Sequence, residues 1–424
     1  MSENKKLTPK IRFKGFTEDW EQRKFGDELE TITDYVAAGS FADLAANVKY
    51  LSNPSYAQLV RTVDIKNNFT SKDNVYVDKN AFNYLWRVNL KDECIIMPNI
   101  GNCGEIYLIN REKLKYKNNV LGPNAILVRS RKNDNKFLSF DFQTKEFQDR
   151  LKLIISPNGQ TKFNKTELKT IDLIIPNKEE QLKIGKIFSQ IDNLITLHQR
   201  KYDKLVKIKS SLLEKMFPKN SSKIPEVRFK GFTEDWEQRK VAEIGDNFST
   251  GTLGYADLCD DGKYKCVLYG DLYTKFNERI LNVKSRTNKE GTKVEINDLL
   301  FPTSTTVDSI SLIAPSCVNQ ENIRVGGDLF GIRPYRNIDG NFVSYCINNF
   351  MPVKYSFAKQ AQGLTIVHLQ YNAIKNEELM IPTLDEQKKM SQLFVNIDNL
   401  ITLHQRKLDK LQNIKKSLLD KMFV

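Results

Sequence analysis

The strongest candidate for catalysis in the sequence is one Asp-x-Lys stretch. Asp64-Ile65-Lys66 has the residue types of the end of a metal-dependent nuclease site, in which acidic side chains bind the metal. A similar stretch further along the chain reads Asp271-Leu272-Tyr273, without the lysine, and no upstream acidic partner is identifiable. We therefore interpret Asp64 as a structural residue.

A second candidate is Asn53-Pro54-Ser55-Tyr56, which resembles the Asn-Pro-Pro-Tyr motif of adenine methyltransferases. Ser55 replaces the second proline, and no Phe-x-Gly-x-Gly cofactor loop accompanies the motif, so a turn is the better interpretation. The patterns of P-loops, serine hydrolases, zinc peptidases and dinucleotide-binding loops are absent. Three His, and six Cys without CxxC spacing, do not indicate a metal site. The sequence predicts neither catalytic residues nor metal ligands.

Polar and basic residues cluster at predicted loops in two separate segments. Arginine suits guanine, asparagine and glutamine suit adenine, and lysine neutralises phosphate. We therefore predict that these loops bind nucleic acid. The candidates in the first segment are Arg61, Lys66, Asn99, Asn102, Asn158, Gln160 and Lys162. Those in the second are Tyr269, Lys275, Thr303, Ser304, Thr305, Gln360, Gln362 and Thr365.

The composition supports a polyanionic partner. The 424 residues include 65 Lys and Arg against 52 Asp and Glu, a net charge of +13. Apolar residues make up 40%, enough for more than one core. Neither an apolar run approaching the ~20 residues of a membrane span nor a signal peptide is visible, so we expect a cytoplasmic protein without a membrane partner.

The chain contains an internal duplication. Residues 12–24 and 228–240 both read RFKGFTEDWEQRK, and 175–217 match 381–423 at 28 of 43 positions. The segments between these repeats, 25–174 and 241–380, share only scattered similarity, such as LVRTVDI against CVLYGDL. Identical flanks indicate that the chain meets the same partner twice, and different middles indicate two different targets. Recombination that copied the flanks without functional pressure is the alternative.

Each repeat ends in a predicted helix of about 40 residues, or about 60 Å. Asn177 with Glu180, and Thr383 with Glu386, have the spacing of a capping box. The apolar period is heptad-like, with polar breaks at matching places, which indicates a coiled coil. The predicted seam contains Ile191, Leu194, His198, Leu205, Ile397, Leu400, His404 and Leu411. The two His are interpreted as polar seam residues that fix the register.

The variable segments mix short strands with turn signals and a few helices, which favours an α+β fold. We predict strands at 74–77, 93–97, 125–128, 298–301 and 329–332, and helices at 137–154 and 342–358. In the flanking motif, Phe13, Phe16 and Trp20 are expected to form an apolar staple. The predicted domains are two globular units, 1–176 and 227–382, two helices, 177–217 and 383–424, and a linker, 218–226.

At this point the sequence resembles the specificity subunit of a type I restriction-modification system. The duplicated Arg-Phe-x-Gly-Phe…Trp-Glu motif, the two variable units, the Ile-Pro boundary followed by Glu-Gln, and the twin helices with Ile-Asp-x-Leu-Ile support this resemblance over essentially the whole chain. It implies that each variable unit is a target recognition domain for one half of a split double-stranded DNA site.

The resemblance also implies that the helices are an antiparallel spacer that binds two methyltransferase (M) subunits and, through them, restriction/motor (R) subunits. S-adenosylmethionine, ATP and Mg²⁺ are then expected in the partner subunits, with no cofactor in this chain. The alternatives are a fused or stand-alone DNA-modifying enzyme, against which the missing motifs argue, and a coiled-coil scaffold that binds nucleic acid.

Overall fold

A computed structural model describes residues 7–156, 161–219 and 222–424. The chain forms two compact units. Unit 1 consists of Met1–Gln199 with Arg406–Val424, and unit 2 of Arg200–Gln405. Two long helices, Lys178–Lys215 and Leu384–Met422, each contribute one half to each unit. The sequence-based domain boundaries stay a prediction, because this division cuts through both helices.

Unit 1 contains a four-stranded antiparallel sheet and a three-stranded mixed sheet, besides the two-stranded sheet of Glu21–Lys24 with Asp172–Ile175. The antiparallel sheet has the order Thr31–Asp34, Ala125–Arg129, Cys94–Pro98, Tyr107–Ile109. The mixed sheet has the order Val75–Val77, Ala57–Val60, Asn119–Leu121. Apart from one-turn segments, the helices are Phe41–Asn47, Thr62–Lys66, Lys79–Tyr84, Asn135–Asp141, Lys145–Ile154 and Lys165–Lys169.

Unit 2 repeats this strand order with additions at the edges. Its larger sheet runs Gly245–Ser249, Leu329–Pro334, Leu299–Pro302, Ser316–Val318, Arg279–Ile280. The second sheet runs Arg286–Thr287, Tyr264–Val267, Ile323–Val325, Thr292–Val294. Its longer helices are Gly340–Asn349 and Met351–Lys359, and shorter ones are Asp271–Thr274, Ser309–Leu312 and Tyr371–Ile374. The α+β prediction is thus confirmed for both units.

The predicted strands and helices are found with small shifts at their ends. Both predicted variable-segment helices are divided in two. In unit 1, Thr144 interrupts the helical run and its hydroxyl accepts a hydrogen bond from Phe147 N at 3.3 Å, which starts a new helix. In unit 2, Pro352 lies in the first turn of Met351–Lys359, where proline is tolerated but the preceding helix cannot continue.

The last four residues of the flanking motif form a strand in each unit. Glu21–Lys24 pairs antiparallel with Asp172–Ile175, and Glu237–Lys240 pairs in the same register with Glu378–Ile381. Trp20 and Trp236, just before these strands, are 2% and 1% exposed, as the staple prediction requires. Phe13 is half-buried, whereas Phe16 packs against a helix lysine, with Lys183 Nζ 4.6 Å from its ring centre.

Within each unit the two long helices run antiparallel, as predicted. In unit 1, Lys415 Nζ lies 2.8 Å from an Asp192 carboxylate oxygen, and the rings of Phe188 and Phe423 are 5.6 Å apart. Residue numbers therefore rise along one helix as they fall along the other. In unit 2 the equivalent ion pair joins Lys209 to Asp398 at 2.8 Å.

The capping-box prediction is half right for the first long helix. Asn177 Oδ1 accepts a hydrogen bond from Glu180 N at 3.0 Å, so Asn177 is the N-cap. The carboxylate of Glu180, however, binds the guanidinium of Arg12 with two bonds of 2.8 Å. An ion pair with arginine replaces the expected return bond to the cap because Glu180 is buried and needs a charged partner.

The seam prediction needs one correction. Ile191 and Ile397 are buried, and the residues His198, Leu205, His404 and Leu411 are half-buried. Leu194 and Leu400 are instead 45% and 44% exposed, so they do not fill the seam within this chain. In unit 1 the buried stripe instead includes Phe188, and in unit 2 it includes the equivalent Phe394, because the rest of each unit packs against this side of the helix.

Candidate nucleic-acid interface

Unit 1 brings two of the predicted DNA-binding loops together. The loop from Asn99 follows the strand Cys94–Pro98 and pairs with residues 161–163: Gly101 N donates to Thr161 O at 2.8 Å, and Phe163 N donates to Asn99 O at 3.1 Å. Asn102 and Lys162 are exposed on this loop pair. Asn158 and Gln160 lie outside the described residues.

Asn99 holds this loop pair in place. Its side-chain amide donates to Phe163 O at 3.2 Å, and its Oδ1 is buried without a hydrogen-bond partner within the part of the chain that the structure describes. A buried acceptor without a hydrogen-bond partner costs free energy unless a donor reaches it. The hydrogen bond from the Asn99 amide supports the loop pair, and the loop pair presents the side chains of Asn102 and Lys162.

Unit 2 joins the equivalent loops. Ser304 and Thr305, which follow the strand Leu299–Pro302, pair antiparallel with Val367 and His368. Leu369 N donates to Thr303 O at 2.9 Å. The loop that carries Gln362 and Thr365 closes on this ladder, since Gln362 and His368 form an isolated bridge. The sequence predicted these residues separately, and the fold brings them together.

A cleft of about 850 Å³ lies beside the loop pair of unit 2. Its walls include Tyr269, Ser304, Thr305, Lys354 and Ile366. Lys354 was not among the sequence candidates. Lys354 is half-buried, and this burial lowers the pKa of its amine from the ordinary value. The cleft therefore has both hydrogen-bond donors and acceptors. They are the hydroxyl groups of Tyr269, Ser304 and Thr305 and the amine of Lys354.

Glu278, in the same cleft, is held by partners of its own. Its Oε1 accepts a hydrogen bond from Asn349 Nδ2 at 2.8 Å and lies 3.2 Å from Lys209 Nζ on the first long helix. Lys209 also pairs with Asp398 on the second long helix. The carboxylate is thus compensated from within unit 2, and the wall of the cleft is fixed to the helix pair.

Three basic candidates lie outside these loop pairs and have intramolecular partners. Arg61 binds Asp64 through Nε and Nη2 at 3.0 and 2.7 Å, Lys66 binds Glu105 at 2.8 Å, and Lys275 binds Asp271 at 2.7 Å. Asp64 and Asp271 are both buried.

The two aspartates support equivalent turns. Asp64 Oδ2 accepts from Arg61 N at 2.9 Å, and Asp271 Oδ2 accepts from Leu268 N at 3.0 Å. The structural interpretation of Asp64 is thus confirmed, and the similarity of LVRTVDI to CVLYGDL reflects a shared strand and turn. Gln360 is also engaged, since its Nε2 donates to Glu377 Oε1 at 2.9 Å.

The excess positive charge lies mostly outside the variable segments. Residues 25–174 contain 21 Lys and Arg against 18 Asp and Glu, and residues 241–380 contain 14 against 16. The flanks and long helices therefore contribute 12 of the 13 net charges. The loops of the variable segments therefore offer hydrogen-bonding groups and shape rather than a net positive charge.

The flanking residues connect strand, long helix and recognition domain in both units. Arg228 binds the Glu386 carboxylate at 2.7 and 2.8 Å, as Arg12 binds Glu180. The next residue in each case is a glutamine that accepts from the N-cap residue of a recognition-domain helix: Gln181 Oε1 from Asp134 N at 2.9 Å and Gln387 Oε1 from Asp339 N at 2.8 Å. The Glu-Gln pair therefore fixes each domain on its helix.

Within residues 7–156, 161–219 and 222–424, no group of three or more His, Cys, Asp and Glu side chains could hold a metal ion. Nor does any helix of the described ranges combine the length and the apolar character that a membrane crossing requires.

Two recognition domains of equal strand order, each fixed to a pair of long helices, define a DNA-specificity protein of duplicated architecture. The family model for the type I restriction modification DNA specificity domain matches residues 17–207 and 233–413. The chain therefore belongs to the family of type I restriction-modification specificity subunits, the DNA-recognition components that are not themselves catalytic.

Relatives of similar length support this assignment. The chain is 24% identical to the type I restriction enzyme MjaVIII specificity subunit of Methanocaldococcus jannaschii, over 95% of this chain and 92% of that protein. It is 25% identical to the putative MjaX specificity subunit of the same organism, with the same coverage. The crystal structure of the S subunit from M. genitalium has the same fold, with a TM-score of 0.58 and 15% identity over 99% of both chains.

Proposed function

We propose that each unit reads one half of a split, asymmetric DNA site. The observation that carries this proposal is the recurrence of one loop pair: the loop after Cys94–Pro98 joins residues 161–163, and the loop after Leu299–Pro302 joins residues 362–368. The strands before these loops are equivalent in the two units, but the loop residues differ. Different side chains at equivalent positions give two DNA-binding surfaces with different base preferences.

The residues proposed to contact DNA are those that the loop pairs and the cleft present. In unit 1 they are Asn102 and Lys162, and in unit 2 they are Tyr269, Ser304, Thr305, Gln362 and Thr365. Arg61, Lys66 and Lys275 remain proposed phosphate ligands, for which a DNA phosphate must compete with their present carboxylate partners. Phosphate contacts add affinity and salt dependence without sequence preference.

The docking of two M subunits, with R subunits bound through them, belongs to the same proposal. Leu194 and Leu197 in unit 1, and Leu400 and Leu403 in unit 2, are identical in the two repeats and 44–46% exposed. Folding does not require exposed leucines to be identical in the two repeats. Binding of two copies of the same partner does require it. S-adenosylmethionine, ATP and Mg²⁺ would then act in the partner subunits, with no cofactor in this chain.

The test is a segment exchange. Replacing residues 25–174 by the corresponding segment of another specificity subunit should change one half of the methylated motif and leave the other half intact. Sequencing the methylated genome of cells that carry the exchanged chain and its partner subunits reads both halves at once. A motif that changes in both halves, or a contiguous motif without an unread gap, would contradict the two-reader proposal.

A further inference from the structure

The loop pair of unit 2 presents an apolar side chain that the base-reading candidates do not include. Leu364 is 103% exposed, more than any other large apolar residue in the described ranges; the next, Leu153, is 86% exposed. Full exposure leaves the whole side chain in water, although burying a leucine stabilises by about 1.5–3 kcal/mol. The loop that carries Leu364 closes on the pairing of Ser304 and Thr305 with Val367 and His368, so a partner bound to this loop pair could bury its side chain.

The turn that carries Leu364 has a fixed conformation. Gly363 has a φ of +121°, and a Cβ at this position would collide with the carbonyl oxygen of Ile366. Gln362 and His368 exchange two backbone hydrogen bonds, Gln362 N to His368 O at 2.9 Å and His368 N to Gln362 O at 2.7 Å. Leu364 is thus held at the tip of a closed loop, which reduces the entropy lost when it inserts into a partner.

The surroundings identify DNA as that partner. Hydroxyl and amide groups of Thr305 and Gln362 lie on the same loops and suit base edges, while the side chain of Ile366, 46% exposed, extends the apolar surface into the cleft. The segment 241–380 has no positive excess, so it depends on contacts other than charge. The apolar part of DNA is its base stack, into which leucine is among the side chains that insert as wedges.

We propose that Leu364 is such a wedge and enters a base step of the half-site read by unit 2. This inference rests on the proposed function. Insertion would partly unstack that step, which costs least at flexible pyrimidine–purine steps, and so would make the half-site selective for a deformable step. The bridge between Gln362 and His368 in unit 2 corresponds to the bridge between Ser156 and Lys162 in unit 1. By this register the sequence of unit 1 has Asn158 at the position of Leu364, so the distortion should be confined to one half of the site.

The experiment uses the full chain assembled with its methyltransferase subunits. The probes are duplexes that carry the methylation motif determined by genome sequencing, with 2-aminopurine placed in turn beside each step of both half-sites. We expect fluorescence to rise at one step, in the half-site that a swap of 241–380 alters. Leu364→Ala should abolish that rise and weaken binding roughly tenfold, corresponding to the burial of most of one leucine side chain.

Leu153→Ala, at the second most exposed leucine, is the matched control. It should leave both the fluorescence rise and the binding affinity unchanged. Fluorescence that is the same for the original chain and Leu364→Ala would overturn the wedge. So would an affinity loss in Leu364→Ala that disappears when thymine is replaced by uracil, because the leucine would then contact a methyl group at the base edge. If the original assembly bound no motif-bearing duplex, the proposed function itself would fail, which is a separate result.

Discussion

Arg12 donates two hydrogen bonds of 2.8 Å to Glu180, whose side chain is 1% exposed, and so fastens the flanking strand to the start of the first long helix. Charged hydrogen bonding to Glu180 raises the pKa of Arg12, in agreement with this geometry. The same pair recurs as Arg228 with Glu386. Part of the identity between the flanks therefore has a structural cause.

We expect Arg12→Ala to destabilise unit 1 by about 3–5 kcal/mol, because the Glu180 carboxylate would remain buried without its partner. Hydrogen exchange measured by mass spectrometry should show faster exchange in unit 1 peptides, with unit 2 unchanged. The control is Arg23→Ala, since Arg23 pairs with Glu21 at the surface, both side chains being more than half exposed. Equal effects of the two variants would refute a special role for the buried pair.

The exposed leucines of the long helices give a prediction about stoichiometry. Leu194→Asp with Leu197→Asp should remove one M subunit from the assembly, Leu400→Asp with Leu403→Asp should remove the other, and all four changes together should remove both. A charge placed in an apolar interface loses its hydration without a partner. Native mass spectrometry of the assembly counts the subunits. Leu153→Asp, at a more exposed leucine outside the two long helices, should retain both M subunits. Retention of both by the four-fold variant would contradict the docking surface.

Much of this architecture follows from the sequence because duplication and periodicity are encoded locally. The flanks, the long helices and the strand at Ala125–Arg129 could be located from repeats and apolar runs. The closure of each unit could not be located from the sequence. Arg12 and Glu180 are 168 residues apart in the chain, and each unit contains about half of each long helix. The register of the helix seam was missed at Leu194 since the recognition domain competes for the apolar stripe.

The residue types of the candidate interface could be predicted from the sequence, but the partners of its side chains could not. Arg61 was predicted to bind DNA, whereas in the structure its guanidinium binds Asp64, three residues later. Asn99 and residues 161–163 are far apart in sequence, so only the fold shows that they form one surface. The sequence does not single out Leu364, because an apolar side chain in a loop has no hydrogen-bonding group. Its full exposure is visible only in the fold.

Asp141 predicts a pH dependence for unit 1. Burial raises its pKa to about 7, with Arg150 opposing the shift. The folded state therefore binds this proton more tightly than the unfolded state, so Asp141 costs stability progressively as pH rises from about 4 to about 7, and the full cost remains above that. Asp141→Asn should stabilise unit 1 more at pH 8 than at pH 5, by up to a few kcal/mol at about 1.4 kcal/mol per pKa unit.

Urea unfolding at the two pH values, followed by hydrogen exchange in unit 1, measures this difference. Asp149→Asn is a suitable control, because Lys145 and Lys152 lower the pKa of the exposed Asp149 by hydrogen bonding, so its substitution should not stabilise the unit at pH 8. A stabilisation by Asp141→Asn that is the same at both pH values would show that the carboxyl does not titrate in this range.

Phe423, at the end of the second long helix, completes the core of unit 1 rather than that of unit 2. Its ring lies 6.1 Å from Trp20, 5.4 Å from Phe137 and 5.6 Å from Phe188, and the residue is 6% exposed. Its counterpart Phe217, at the end of the first long helix, packs against Trp236, 6.1 Å away, in unit 2. Each aromatic core thus depends on the helix that follows the other recognition domain.

We expect Phe423→Ala to destabilise unit 1 by about 3–5 kcal/mol through the cavity it leaves, and Phe217→Ala to do the same to unit 2. Hydrogen exchange should report the loss around Trp20 for Phe423→Ala and around Trp236 for Phe217→Ala. Phe423→Leu, which keeps most of the apolar volume, should lose much less, since cores tolerate changes that conserve volume. If Phe423→Ala instead loosened unit 2, which lies next to it in sequence, the exchange of helix halves between the units would be wrong.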